Sequence, residues 1–353
     1  MKALLLSGGS GTRLRPLTHT MAKQLVPVAN KPVIVHCLEV IRELGIRDVG
    51  IIVGGRAEEI ENSLGSGRAH GVDLTYIPQH APLGLAHCVQ TAADFLGADD
   101  FVMLLGDNVF AGGLSGASER FREERPSALV VTKKVTDPEN YGVAEVDPEG
   151  VVLSLAEKPR EPVGDLALTG GYFFTAAIHA ATRAITPSAR GELEITDAIA
   201  HLVASGQRVL AAEYTDYWAD TGTIEGLLDC NRRMLERMPP GVEGDVDERT
   251  EITGRVVVER GARVRASRLT GPVAIAAGSV VEDSVVGPDV TVGAGSRLSG
   301  VGVSDTIVLD GASVRGLGRV RASVIGSRAV ITGSGDAVGS VCVGDDARVE
   351  IGS

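Results

Sequence analysis

Aromatic residues make up only 3% of this 353-residue chain, and from Gly241 to Ser353 there is none, nor any lysine or histidine. The four cysteines, Cys37, Cys88, Cys230 and Cys342, are scattered without a C-x-x-C pair. That spacing argues against a disulfide framework or a zinc site and leads us to expect a reducing, cytoplasmic setting. No apolar run reaches 18 residues, so neither a membrane span nor a signal peptide is expected. No basic block offsets the formal net charge of −12, which argues against broad binding to nucleic acid or to a membrane surface. With 44% hydrophobic and 23% charged residues the composition is that of a folded, globular chain, long enough for about two domains.

What is present divides into two patterns. Up to about residue 240, short buried-strand runs (Ala3 to Leu6, Val49 to Val53, Phe101 to Leu105) alternate with helical patterns. In Pro32 to Leu44, Ile34, Cys37, Leu38, Ile41 and Leu44 share one face, and Ala86 to Phe95 is a second candidate helix. This predicts an α/β domain over 1–240 with a mostly parallel sheet covered by helices. Beyond Pro239-Pro240, aliphatics recur every six residues, at Val280, Val286, Val292 and Leu298, with Gly, Asp and Ser in the gaps. A hexad repeat in an aromatic-free segment predicts a parallel β-helix over 241–353. The repeat blurs after Gly300, where irregular coils or a cap are expected.

Within the first domain, the run LLLSGGSGTRLRPLT (4–18) ends a buried strand in a glycine loop and then adds arginine. Gly8, Gly9 and Gly11 let the backbone turn sharply or approach a ligand closely, and such a loop presents N–H groups to an anion. The loop matches neither standard phosphate motif. Leu14 stands where a Rossmann fingerprint has its third glycine, and the Gly-Lys-Ser/Thr of a P-loop is missing. Lys23 and Gln24 follow in MAKQLVP, and the strand FVMLL ends in Gly106-Asp107-Asn108. A carboxylate at the carboxyl end of a strand suits a hard divalent cation and its phosphate partners, although turn or cap aspartates are common. WADTGT offers Asp220 as a second carboxylate, AEKP offers Lys158, and YGVAEV a backbone approach point.

Together these segments resemble the sugar-1-phosphate nucleotidylyltransferases. The nearest type is the long-form glucose-1-phosphate thymidylyltransferases, which carry a C-terminal left-handed β-helix. The resemblance rests on GGSGTRLRPLT (8–18), AKQLVP (22–27), QHAPLGLAH (79–87), LGDN (105–108), YGVAEV (141–146), EKP (157–159), GELEITDAI (191–199) and WADTGT (218–223), and covers nearly the whole chain. It implies a Rossmann-like nucleotidyltransferase domain and a Mg²⁺-dependent transfer of dTMP from dTTP to glucose 1-phosphate, with pyrophosphate leaving.

The resemblance also implies roles for particular residues. Gly8, Gly9, Gly11 and Thr12 would wrap the nucleotide, Arg13 would neutralise the departing pyrophosphate, and Lys23 would bridge phosphates. Gln24, Gln79 and Gly84 would face the base, and Asp107 and Asp220 would hold Mg²⁺. Asn108, Gly142, Glu157, Leu168 and Glu194 would line the hexose, and Lys158 would hold its phosphate. Three positions depart from the short-form pattern: Leu83, Ala156 and Gly171. His87 replaces a common glutamine, while Trp218 reads as a packing anchor. The rival readings are a uridylyltransferase of the same family, a bifunctional acyltransferase and a non-catalytic regulatory paralogue. All seven histidines lie at or before His201, which argues against the acyltransferase. The cation and metal-ligand residues argue against the paralogue. A flat coil face suits stacking of copies, so a homo-oligomer is expected.

Overall fold

The computed structural model describes residues 1–159, 164–333 and 338–352. By contacts the chain forms two compact units, Met1–Gly9 with Ile34–Trp218, and Ser10–Val33 with Ala219–Ser353. The coiled strands begin at Gly241, but 10–33 and 219–240 also cluster with them.

The first unit is built on a nine-stranded sheet. Its strands are β1 (Lys2–Ser7), β2 (Asp48–Val53), β3 (Asp73–Pro78), β4 (Phe101–Leu105), β5 (Ala128–Lys134), β6 (Gly142–Val146), β7 (Val152–Glu157), β8 (Leu166–Phe174) and β9 (Val209–Glu213). The order is β7-β6-β8-β4-β1-β2-β3, with β5 also on β8 and β9 on β5. The run β4-β1-β2-β3 is parallel. From β4 onward β8 brings antiparallel pairing, which extends to β5, β6 and β7. Its register shifts between Leu168 and Tyr172. Gly170 sits at that shift with φ +81°, and a Cβ there would lie 2.7 Å from Leu105 Cδ1. At Gly171 a Cβ would lie 3.1 Å from the Phe110 ring, which occupies the space an aliphatic would take.

Because strand side chains alternate, each strand feeds two layers. Leu4, Leu6, Phe101, Met103, Ala128, Val130, Tyr172 and Phe174 form one core with residues of α3 (Leu85–Thr91), α5 (Ile178–Ala184) and α6 (Ile195–Ala204). Along the chain α1 (Val33–Glu43) and α2 (Ala57–Leu64) precede α3, and α4 (Ser115–Glu124) lies between α3 and α5. On the opposite side Phe173 meets Phe121 of α4, with ring centroids 5.7 Å apart. The expected helix at Ala86 to Phe95 divides at Ala92 into α3 and a short turn, Ala93–Leu96.

In the second unit, all strands after Gly241 pair in parallel, coil upon coil, as a left-handed β-helix. Arg263 pairs with Val280, Val280 with Arg297, and Arg297 with Ser313, so a coil takes 17, 17 and 16 residues. A strict hexad would need 18. The residue beneath Leu298 is therefore Val281, which is fully buried, and Val280 is not part of the central ladder. Coils continue past Gly300 to Ile351, including the long strands Gly302–Val308 and Arg319–Ile325. The repeat blurs in sequence because each of those strands covers two faces in one run. One corner repeats a left-handed backbone at Gly261, Gly278, Gly295 and Gly311, then at Arg328 and Asp346. Glycine adopts that conformation without a Cβ penalty, and the two last positions instead join in a two-bond ion pair (2.7 Å each). The helix α7 (Ile224–Leu235) lies in this unit; its Arg232 reaches Asp305 (3.0 Å) and Asp289 (3.6 Å).

Candidate active site

At the carboxyl edge of the first sheet, β1 and β4 end side by side. Leu6 is in register with Leu105, and the Gly106 N–H donates to the Leu6 carbonyl (2.9 Å). Gly8 and Gly9 therefore leave the sheet beside Gly106 and Asp107, and Gly9 has φ +98°. In an open α/β sheet this edge is where ligands bind. Asp107 Oδ1 accepts from the Asn108 amide (3.1 Å). Asn108 is only 3% exposed, and its Oδ1 has no hydrogen-bond partner among the described residues. A buried acceptor left unmet is unfavourable unless a ligand donates to it.

Further along the edge, Gln79 continues β3, with its N–H donating to the Val53 carbonyl (2.8 Å). Its side-chain Nε2 lies 2.9 Å from His87 Nδ1. Gly84 has φ +104°, and a Cβ there would lie 2.7 Å from the Leu193 nitrogen. The segment after Gln79 is thus clamped against 193, through Leu193 N–H to Leu83 O (2.7 Å) and Ala86 N–H to Leu193 O (3.0 Å). Leu83 itself is exposed.

A third group gathers on the antiparallel strands. Gly142 and Glu157 are register partners, and a Cβ on Gly142 would meet Glu157 Oε2 at 3.0 Å, Leu168 Cδ1 at 3.1 Å and Thr196 Cγ2 at 3.1 Å. Only a missing side chain keeps that hollow open. Glu157 accepts from Thr196 Oγ1 (2.6 Å) and Arg190 (2.9 Å), and Arg190 also pairs with Glu194 (2.9 Å). Glu194 is buried and accepts from Ser188 as well (2.8 Å). Burial first, and then the fields of Glu194 and Glu157, push the Asp197 carboxyl above its ordinary range. Lys158 is exposed, with φ +45° and its N–H bonded to the Tyr141 carbonyl (3.0 Å). Arg190, Thr196 and Ser188 were not singled out in the sequence. Arg190 and Thr196 flank the Glu194 of GELEITD, and a charge four residues before that buried glutamate was the available signal. Trp218 is an anchor, its indole N–H donating to the Thr169 carbonyl (2.9 Å) and its ring edge-on to Tyr141.

The second unit carries the other candidates. Gly11 has φ +60° and accepts from Thr18 Oγ1 (2.7 Å); a Cβ there would crowd Thr18 and Lys23, whose Cβ would be 3.1 Å away. Thr12–Leu14 and Lys23–Leu25 are single 3₁₀ turns. The Arg13 side chain is 67% exposed, with its guanidinium 3.9 Å from Asp220. Asp220 also accepts from the Gly222 N–H (2.9 Å), and a Cβ on Gly222 would lie 2.8 Å from Arg13 Nη2. Gln24 is 2% exposed, buried more deeply than Gln79. Among the described residues no cluster of three or more His, Cys, Asp or Glu could hold a metal by itself. What the chain offers a cation is carboxylate oxygen.

Within the first unit, a glycine turn leaves the strand ends beside a carboxylate, an arrangement that can present backbone N–H groups to an anion. The nucleotidyl transferase family matches residues 2–237. The chain belongs to that family. Two curated relatives, both glucose-1-phosphate thymidylyltransferases, align over the full length of both chains: that of Streptomyces griseus at 49% identity and that of Streptomyces antibioticus at 50%. Among solved structures, a Bacillus anthracis protein assigned as a glucose-1-phosphate thymidylyltransferase, solved with a sucrose, covers 68% of this chain and 97% of its own, at 34% identity and TM-score 0.63. This nucleotidyl transferase has no helix long and apolar enough to cross a membrane among its described residues.

Proposed function

We propose that the chain transfers dTMP from dTTP to glucose 1-phosphate, releasing pyrophosphate and giving dTDP-glucose. The carrying observation is the register of β1 with β4, which ends the glycine turn and Asp107 at one sheet edge. An oxygen of the sugar phosphate attacks the α-phosphorus in line as pyrophosphate leaves. The nucleophile is already an anion, so no general base is required and positioning with charge neutralisation supplies the catalysis.

The N–H groups of Gly8, Gly9, Gly11 and Thr12 cradle the nucleotide phosphates. Arg13 neutralises the leaving pyrophosphate, and Lys23 bridges phosphates. Gln24, Gln79 and Gly84 face the base. Asn108, Gly142, Glu157, Leu168 and Glu194 hold the hexose, with the unmet Asn108 Oδ1 as an acceptor for a sugar hydroxyl. Lys158 holds the sugar phosphate. Asp107 and Asp220 would each offer Mg²⁺, a hard cation, the carboxylate oxygen it takes. Bound Mg²⁺ would supply charge neutralisation of the phosphates. In functional terms we assign 1–240 to catalysis and 241–353 to the β-helix, through which copies of the chain associate. Free cysteines at 37, 88, 230 and 342 suit a cytoplasmic enzyme.

The test is pyrophosphate release with Mg²⁺ and glucose 1-phosphate, comparing dTTP, UTP, ATP, GTP and CTP. Release led by dTTP is expected. Release led by UTP would replace thymidylyl with uridylyl transfer, and no release with any nucleotide would defeat the enzymatic reading. Light scattering that finds only monomer would defeat the association of copies.

A further inference from the structure

His87 lies on α3, one turn beyond Gly84, and is half-buried. Its Nδ1 is 2.9 Å from Gln79 Nε2, and the same amide nitrogen lies 3.5 Å from the Gly84 carbonyl. A carbonyl can only accept and an amide nitrogen can only donate. With the amide nitrogen toward the Gly84 carbonyl, Gln79 donates toward α3, and the bond to His87 Nδ1 calls for the tautomer in which Nδ1 accepts. Both amide hydrogens are directed at α3, so Oε1 is the end left to face outward from the helix. The helix start is itself immobilised, because Gly84 packs against the Leu193 backbone and Thr91 Oγ1 donates to the His87 carbonyl (2.8 Å).

We propose that His87 is a positioning residue for nucleobase selection, holding the Gln79 amide so that it offers an acceptor to the base. This rests on the reading of Gln79 as base-facing. An outward Oε1 matches a pyrimidine that presents N3–H, as thymine and uracil do. It opposes cytosine, whose N3 is an acceptor. A partner at 87 that could only donate would turn the amide over and reverse the match. The pair thus selects the class of base, a 2,4-dioxopyrimidine, and leaves the choice between thymine and uracil to other contacts.

The experiment compares kcat/KM for dTTP and dCTP, with glucose 1-phosphate and Mg²⁺, in wild type, His87→Leu, His87→Gln, His87→Lys and Gln79→Ala. In His87→Leu the preference for dTTP should fall by about tenfold or more, chiefly through KM, since losing one hydrogen bond and facing like groups is unfavourable. His87→Gln should restore the preference, because its side-chain oxygen accepts as Nδ1 does. His87→Lys, with donors only, should fall below His87→Leu. If His87→Leu keeps the wild-type ratio while Gln79→Ala loses it, the proposal is overturned and the base-facing reading stands. If Gln79→Ala keeps the ratio, that reading fails and takes the proposal with it. Equal losses for both nucleotides, or no rescue by glutamine, would mean that His87 only packs.

Discussion

The two units solve the same packing problem in opposite ways. The sheet unit fills its core with rings, Phe101, Phe121, Phe173 and Phe174, set between nine strands and helices on both faces. The β-helix has a narrow, three-sided interior and fills it with ladders of Val, Leu and Ile, coil after coil. A large core tolerates irregular strands, a partner-switching strand such as β8 and buried polar clusters, and the candidate site groups of that unit depend on those irregularities. A coil must repeat, so its aspartates and glycines serve corners. The same residue type therefore means different things in the two halves.

Four experiments bear on that contrast, from the largest expected effect to the smallest. Asp107→Asn should lower turnover by about 10²–10³-fold with little change in Tm, as for loss of a transition-state electrostatic partner. Asp310→Ala in the coil should do the reverse. Its Oδ1 accepts from the Ala294 N–H (2.8 Å), so about 1 kcal/mol of stability should go while turnover stays. A drop in turnover for the coil variant, measured beside its melting curve, would break the comparison.

Core truncations come next. Phe173→Ala should destabilise by about 3–5 kcal/mol and Leu298→Ala by about 2–5 kcal/mol. In the repeat the damage should stay near its coil, because coils contact chiefly their neighbours. Denaturant unfolding followed by site-specific proteolysis reads the difference, and a uniform loss across both units would contradict it.

Two glycines of left-handed backbone sharpen the contrast further. Gly295 has φ +67° and nothing within 4 Å of a would-be Cβ, so Gly295→Ala should destabilise by about 1–2 kcal/mol. Gly84→Ala adds a collision with the Leu193 backbone to unfavourable φ, so its loss should be larger, with a raised KM for dTTP. Equal melting shifts for the two would show that the Leu193 clamp yields.

The smallest effect concerns thiols. Cys88 is pushed up to about 12 by burial, with hydrogen bonds to Gln79 and the backbone only partly opposing this, whereas Cys342 in the coil is exposed. Iodoacetamide at pH 8 should label Cys342 first and leave turnover unchanged. Labelling at Cys88, read by peptide mass, would mean that α3 opens readily.

Much of this was legible in the sequence. The buried runs at 3–6, 49–53 and 101–105 are strands, and Val33–Glu43 is the helix its apolar face indicated. The hexad pattern announced the coil. Its phase was not legible, since 16- and 17-residue coils shift the inward position from Val280 to Val281. Antiparallel pairing around β8 was hidden too, because strand direction leaves no mark on periodicity. Among site residues, Gly142 and Glu157 stood out as motif members, whereas Arg190 and Thr196 gained meaning only when β6, β7 and α6 brought them to Glu157.

By itself the sequence determined what is local: strand and helix periods, glycine where the chain must turn left-handed, an aromatic-free coil, and a loop able to present N–H groups to phosphate. These follow from backbone sterics and side-chain period, which neighbours along the chain suffice to set. Tertiary structure decided what depends on residues far apart in the chain. It set β1 and β4 in register so that Gly8 and Asp107 leave one edge, and it closed Leu193 on Gly84. It also turned the Gln79 amide by the two acceptors, His87 Nδ1 and the Gly84 carbonyl, that the fold places beside it. Register, close approach and hydrogen-bond direction are properties of pairs, and no single stretch of sequence contains both members of such a pair in their final geometry.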